Sequence, residues 1–109
     1  MITWADFEKL DIRVGTIIEV GDFAKARKPA YQLTIDFGEL GIKKSSAQLS
    51  GLYSKDTLNG RQVIAVVNFP IKQIADFSSE CLVLGIYNEF NAVVLLQPSS
   101  PVKNGCKIG

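Results

Sequence analysis

The 109-residue sequence contains no histidine. That absence excludes imidazole general bases, Ser-His-Asp and Cys-His arrangements, and His-ligated metals. Cysteine is nearly as scarce: Cys81 and Cys106 are the only two, with no Cys-x-x-Cys spacing. They are too sparse for a zinc site or a disulfide framework, so both are expected as buried or inert thiols of a reducing compartment. Four prolines and nine glycines are too few for a low-complexity chain. An excess of one charge is also missing, because 12 Lys and Arg face 11 Asp and Glu for a formal charge of +1. A polycation and an acidic disordered tail are thereby excluded. No apolar run approaches the roughly 18 residues that span a bilayer. The opening Met-Ile-Thr-Trp-Ala-Asp has no basic stretch followed by an apolar one. The expectation is a soluble, cytoplasmic chain with no membrane insertion. There is no glycine-rich phosphate loop, nucleophile elbow or carboxylate pair of diagnostic spacing. Asp36 and Glu39 are acids on a strand and its turn, a pattern that usually marks solvated surface. No catalysis, cofactor or metal is expected.

What is present is an ordinary globular composition, 47% hydrophobic and 9% aromatic. A chain of this length buries about two-thirds of its unfolded surface, so residues 1–109 are read as a single domain. Thr3 stands three residues before Asp6 and is placed to cap a short helix carrying Trp4, Phe7 and Leu10. From Asp11 the period changes to two, with Ile12, Val14, Ile18 and Val20 alternating against Arg13, Gly15 and Glu19; Gly15 is expected to mark a bend. Tyr31, Leu33, Ile35 and Phe37 give the cleanest strand, closed by Gly38-Glu39-Leu40-Gly41 as a hairpin turn into a polar third strand over 42–49. Residues 50–58 suit a short helical connection ending at Asn59-Gly60. The nearly unbroken run 61–69 reads as a central strand, and residues 71–77 as a mixed segment. Apolar runs 82–87 and 92–97 flank Asn88-Glu89-Phe90-Asn91 as a second hairpin. The tail from Pro98 is too broken for regular structure unless it docks. The sum is an all-β fold, a small five-stranded barrel of the oligonucleotide/oligosaccharide-binding (OB) type, with a short N-terminal helix and another between strands three and four.

Two surfaces attract notice. Lys25, Arg27, Lys28, Lys43 and Lys44 fall in a 20-residue window with only Asp36 and Glu39 as acids. Converging with Lys72 they would form a phosphate-attracting rim; the plain alternative is a solvated edge that resists strand-to-strand aggregation. Lys44, Ser46 and Gln48, joined by Asn68, offer donors suited equally to phosphate, base edges or peptide carbonyls. Tyr31, Phe69, Phe77 and Phe90 supply either stacking surface or core.

Leu10-Asp11-Ile12-Arg13-Val14-Gly15-Thr16-Ile17 and Leu33-Thr34-Ile35-Asp36-Phe37-Gly38 resemble the tRNA-binding domain family typified by EMAP II and by the C-terminal appendage of some methionyl-tRNA synthetases. Further matching stretches, Thr3 to Leu10, Ala26 to Ala30, Lys44 to Gln48, Ile64 to Pro70 and Leu95 to Gly109, are similar to a small free-standing branch of that family described as export-related chaperones. The resemblance implies an OB-fold whose terminal extensions form a homodimer. Trp4, Phe7, Val102 and Ile108 are the interface residues expected, since a lone barrel gives these apolar groups little to cover. It implies tRNA as ligand for the wider family, and unfolded polypeptide or preprotein, with a translocation ATPase, for the free-standing branch. Departures bear on that choice. A His-Pro-x-Ala-Asp-Lys-Leu loop is replaced by Phe23 to Tyr31, a Val-Ser-Gly element by Ser46-Ala47-Gln48, and an Asn-x-Lys-Pro-Arg-Lys-Met-Arg stretch by Asn68 to Ala75. Fewer cations weaken tRNA affinity and its salt dependence. The expected peptide pocket is Ser46, Gln48, Asn68, Phe69, Ile71 and Ile74, with an acidic-ligand or nucleic-acid rim of Lys43, Lys44, Lys72, Ser79, Arg27 and Lys28.

Overall fold

The computed structural model describes residues 1–26 and 28–109, so the expected rim cation Arg27 lies outside the described residues. Helix α1 spans Trp4–Glu8. Thr3 Oγ1 accepts the Asp6 N–H at 3.2 Å and Asp6 Oδ2 accepts the Thr3 N–H at 2.9 Å, closing a capping box. These hydrogen bonds from Thr3, the backbone one foremost, hold the Asp6 carboxyl below its ordinary value. None of the helix residues is buried, so core packing does not explain the helix.

Strand β1, Ile12–Asp22, is the spine of the molecule. Its first half pairs antiparallel with β4, Gln62–Val66, and its second half with β2, Tyr31–Asp36. The alternation expected along it fails at one point. Register shifts between Ile17 and Glu19, so Ile17 is fully buried while Ile18 is 44% exposed. The irregularity therefore sits at Ile18 and not at Gly15. Gly15 has another role: a Cβ there would stand 2.7 Å from Ile35 Cγ2 and from the Phe37 ring, so only glycine lets Phe37 close over the strand.

Strand β3, Ile42–Ala47, follows β2 through a single 3₁₀ turn over Gly38–Leu40, as the turn residues indicate. Helix α2, Lys55–Leu58, is capped by Ser54 and sets Leu58 wholly in the core. Beyond β4 the chain is more divided than its apolar runs suggest. Residues read as a mixed segment form a hairpin of β5, Lys72–Ile74, with β6, Phe77–Ser79. The run 82–87 splits into β7, Leu82–Val83, on the main sheet, and β8, Gly85–Tyr87. Strand β8 pairs with β9, Val93–Leu95, in the second hairpin expected.

The five-stranded sheet runs in the order β3-β2-β1-β4-β7. It curls until β3 meets the start of β7: Glu80 N–H donates to the Lys44 carbonyl at 2.7 Å and Ser45 Oγ to the Cys81 carbonyl at 2.9 Å. This all-β, nearly closed barrel encloses a core including Ile17, Leu33, Ile35, Phe37, Val63 and Leu95. Each such side chain contributes roughly 1.5–3 kcal/mol of transfer free energy. The tail does dock, on the first strand. Gly105 N–H donates to the Val14 carbonyl, Val14 N–H to the Cys106 carbonyl and Ile108 N–H to the Ile12 carbonyl, at 2.7, 3.0 and 2.9 Å. It thus covers the half of β1 that β2 leaves unpaired.

Candidate binding clefts

The chain leaves β4 at Val66, passes through Phe69 and Pro70, and returns as the β5–β6 hairpin. Between this path and β3 lies a cleft of about 240 Å³. Phe69, Pro70, Ile74 and Leu82 line it with apolar surface, while Ser46, Lys72 and Ser79 supply polar atoms. Phe69 and Leu82 are 48% and 49% exposed. Lys72 and Ser79 face each other across the hairpin. The Ser79 hydroxyl accepts the Ser46 N–H at 3.2 Å, tying the hairpin to β3. Cys81 completes the wall; burial pushes its thiol up to about 11, so it is present as neutral SH.

Five of the expected residues, Ser46, Phe69, Ile74, Lys72 and Ser79, are therefore brought together. Others are not. Ile71, 64% exposed, is outside the lining. The Asn68 amide braces the N-terminal segment: its Oδ1 accepts the Asp11 N–H at 2.9 Å and its Nδ2 donates to the Lys9 carbonyl at 2.8 Å. Lys43 lies opposite buried Ile35 and Lys44 opposite Thr34, on alternate faces of β3. Pro70, Cys81 and Leu82 join the lining without a site motif in the sequence; Leu82, at the head of an apolar run, carries the one visible signal.

Among the described residues the basic window does not converge. Lys25 Nζ is bonded to Asp76 Oδ2 at 2.8 Å, a hydrogen bond that raises the lysine and lowers the carboxyl from their ordinary values. Beside that pair Phe23, Ala30 and Phe77 form a satellite core, with the two rings 5.3 Å apart, so Phe77 is not free to stack on a ligand. Tyr31 is half-buried, its hydroxyl donating to the Tyr53 carbonyl. Lys28 and Gln48 instead line a second cleft, of about 540 Å³, with Leu52, Tyr87, Phe90 and Asn91.

Trp4, Phe7 and Ile108 meet in a third cleft of about 290 Å³, together with Leu10 and Lys107. Trp4 is 86% exposed. Val102 is elsewhere: its N–H donates to Gln62 Oε1 and its carbonyl accepts from Gln62 Nε2. In a further cleft of about 700 Å³, Arg61 donates to the Thr57 carbonyl and to Gln97 Oε1. Among the described residues no cluster of three or more His, Cys, Asp or Glu is placed to hold a metal, and no helix is long and apolar enough to cross a membrane.

A curled five-stranded sheet with an apolar cleft at the exit of β4 defines a small binding domain, and residues 12–107 match the family described as "Putative tRNA binding domain". The chain belongs to that family. Within it, the chain is similar to solved structures of the chaperone CsaA. That of Bacillus anthracis is 51% identical, with a TM-score of 0.95, covering 100% of this chain and 99% of that one. That of Picrophilus torridus is 55% identical, with a TM-score of 0.95 and complete coverage of both chains. The methionine–tRNA ligase of Thermococcus onnurineus is 36% identical over 107 residues, covering 98% of this chain. This chain spans only 14% of that ligase's length.

Proposed function

We propose that the chain is a non-enzymatic chaperone that holds apolar segments of unfolded or preprotein polypeptide during protein export, in the cytoplasm and as a homodimer. In this reading residues 1–109 act as one unit and a translocation ATPase receives the client. One observation carries it: Phe69, Pro70, Ile74 and Leu82 leave an apolar cleft open to solvent, with Lys72 and Ser79 at its edge. An aliphatic or aromatic client side chain entering it gains transfer free energy, while Lys72 favours a nearby acid. The likeness to CsaA chaperones over the whole chain supports the same reading. Two clefts in a dimer would engage one extended client with raised effective concentration. The experiment is suppression of light scattering by a chemically unfolded client. Wild-type protein slows aggregation and a Phe69→Ala, Ile74→Ala double variant does not; equal protection by both removes the cleft from the account.

The family match favours a second reading, a tRNA-binding module that recognises the shape of folded RNA through phosphate and ribose contacts. Lys43, Lys44 and Lys72 are its candidates. Affinity for tRNA should fall steeply with salt and collapse when all three become Glu; a flat salt response contradicts it.

A further inference from the structure

The cleft between the first connection and the β8–β9 turn is unlike the one assigned to polypeptide. Two large aromatic side chains stand almost free in solvent, Tyr87 at 74% and Phe90 at 82% exposure. The turn that carries Phe90 is held rigidly: Asn88 Oδ1 accepts the N–H groups of Phe90 and Ala92 at 3.0 and 2.9 Å, and Asn91 takes φ +62°. Exposed aromatic surface therefore sits on a preorganised support, where ordering on binding costs little. Among the described residues, Lys28 is the one charged side chain lining the cleft, and no carboxylate lines it. Gln48 adds an exposed amide able both to donate and to accept. A volume of about 540 Å³ lies within the ordinary range for ligand clefts.

We infer that this cleft binds unpaired nucleotides of RNA, with Tyr87 and Phe90 as stacking platforms, Lys28 at a phosphate and Gln48 at a base edge. The combination decides the ligand class. Flat π-faces beside a cation and an amide fit a base joined to a phosphate, whereas the Phe69 cleft offers a more apolar lining suited to polypeptide side chains. The inference rests on the RNA reading above and deepens it, because shape recognition of paired regions needs no exposed rings.

The test is equilibrium binding of the full chain to a fluorescently labelled single-stranded hexaribonucleotide, a hairpin duplex of the same sequence, and folded tRNA. The single strand should bind better than the duplex. Tyr87→Ala and Phe90→Ala should each weaken it by about five- to a hundredfold, the range a lost base–aromatic stack produces. Phe90→Trp should restore binding, separating stacking from any change in the turn, and Lys28→Gln should flatten the salt dependence. Alanine variants that bind the hexamer like wild type overturn the inference, as does loss of apolar-peptide binding in the same variants. Wild-type protein that binds tRNA but not the hexamer overturns it while leaving the tRNA reading intact; binding neither removes both.

Discussion

Two thiols of one chain meet opposite surroundings. Cys106 is exposed on the docked tail, whereas Cys81 is buried and its thiol lies at about 11. Only Cys106 should react with a thiol reagent near pH 8 in the folded protein, with the second equivalent appearing on unfolding. Because burial raises Cys81 from its ordinary 9.0 to about 11, the unfolded chain loses this proton first as pH rises. Stability is therefore undiminished by this group below pH 9 and declines between 9 and about 11, by on the order of 2 kcal/mol. Denaturant midpoints across that window check the slope; a rise would contradict it. Asn68 gives a second test. Its two hydrogen bonds hold Lys9 and Asp11, so Asn68→Ala should cost about 1–3 kcal/mol of stability and leave peptide affinity unchanged. A normal melting temperature with lost peptide binding would return Asn68 to the site. Residue type was readable here, since an amide after a β-branched run is conspicuous; its partners, 57 and 59 residues away, were not.

At the scale of elements, local pattern determined those pieces whose neighbours are close in sequence. The capped helices, the β2–β3 hairpin and the β8–β9 hairpin were all legible in this way. The bulge in β1 was not, because Ile17 and Ile18 are equally apolar and only the register against β2 decides which is buried. The β5–β6 hairpin escaped because a strand of three residues carries too little alternation to distinguish. The tail escaped because its partner is β1, some 90 residues earlier. Gly105 marks how closely that tail is fitted: its φ is +93°, and a Cβ would stand 2.7 Å from the Phe37 carbonyl oxygen. Gly105→Ala should cost at least about 1–3 kcal/mol, read from urea unfolding, through left-handed backbone strain plus that collision. An unchanged midpoint would mean that the tail contributes no stability where it lies on β1.

At the scale of the whole molecule, the proposed dimer surface and the proposed polypeptide cleft are separate. Exposed Trp4 and half-buried Phe7 and Ile108 gather an apolar surface from both chain ends. Hiding each 400 Å² of such surface contributes on the order of 10 kcal/mol before association entropy is subtracted, enough for a dimer. A Trp4→Asp, Phe7→Asp variant should sediment as a monomer where the wild type is a dimer; a wild-type monomer would contradict the proposed assembly. The Phe69 cleft shares no lining residue with this surface, so the proposed dimer leaves it to a client. The cleft's polar partners were readable from β3 and Lys72, whereas its far wall at Cys81 and Leu82 depends on barrel closure.

The most direct measurement is isothermal titration of an unfolded, apolar peptide into the protein at several temperatures. Wild type should bind with a negative heat-capacity change, and Phe69→Ala and Ile74→Ala should each weaken binding by about tenfold or more with a smaller heat-capacity change, as buried apolar area is lost. Unchanged affinity and heat capacity in both variants would contradict the account.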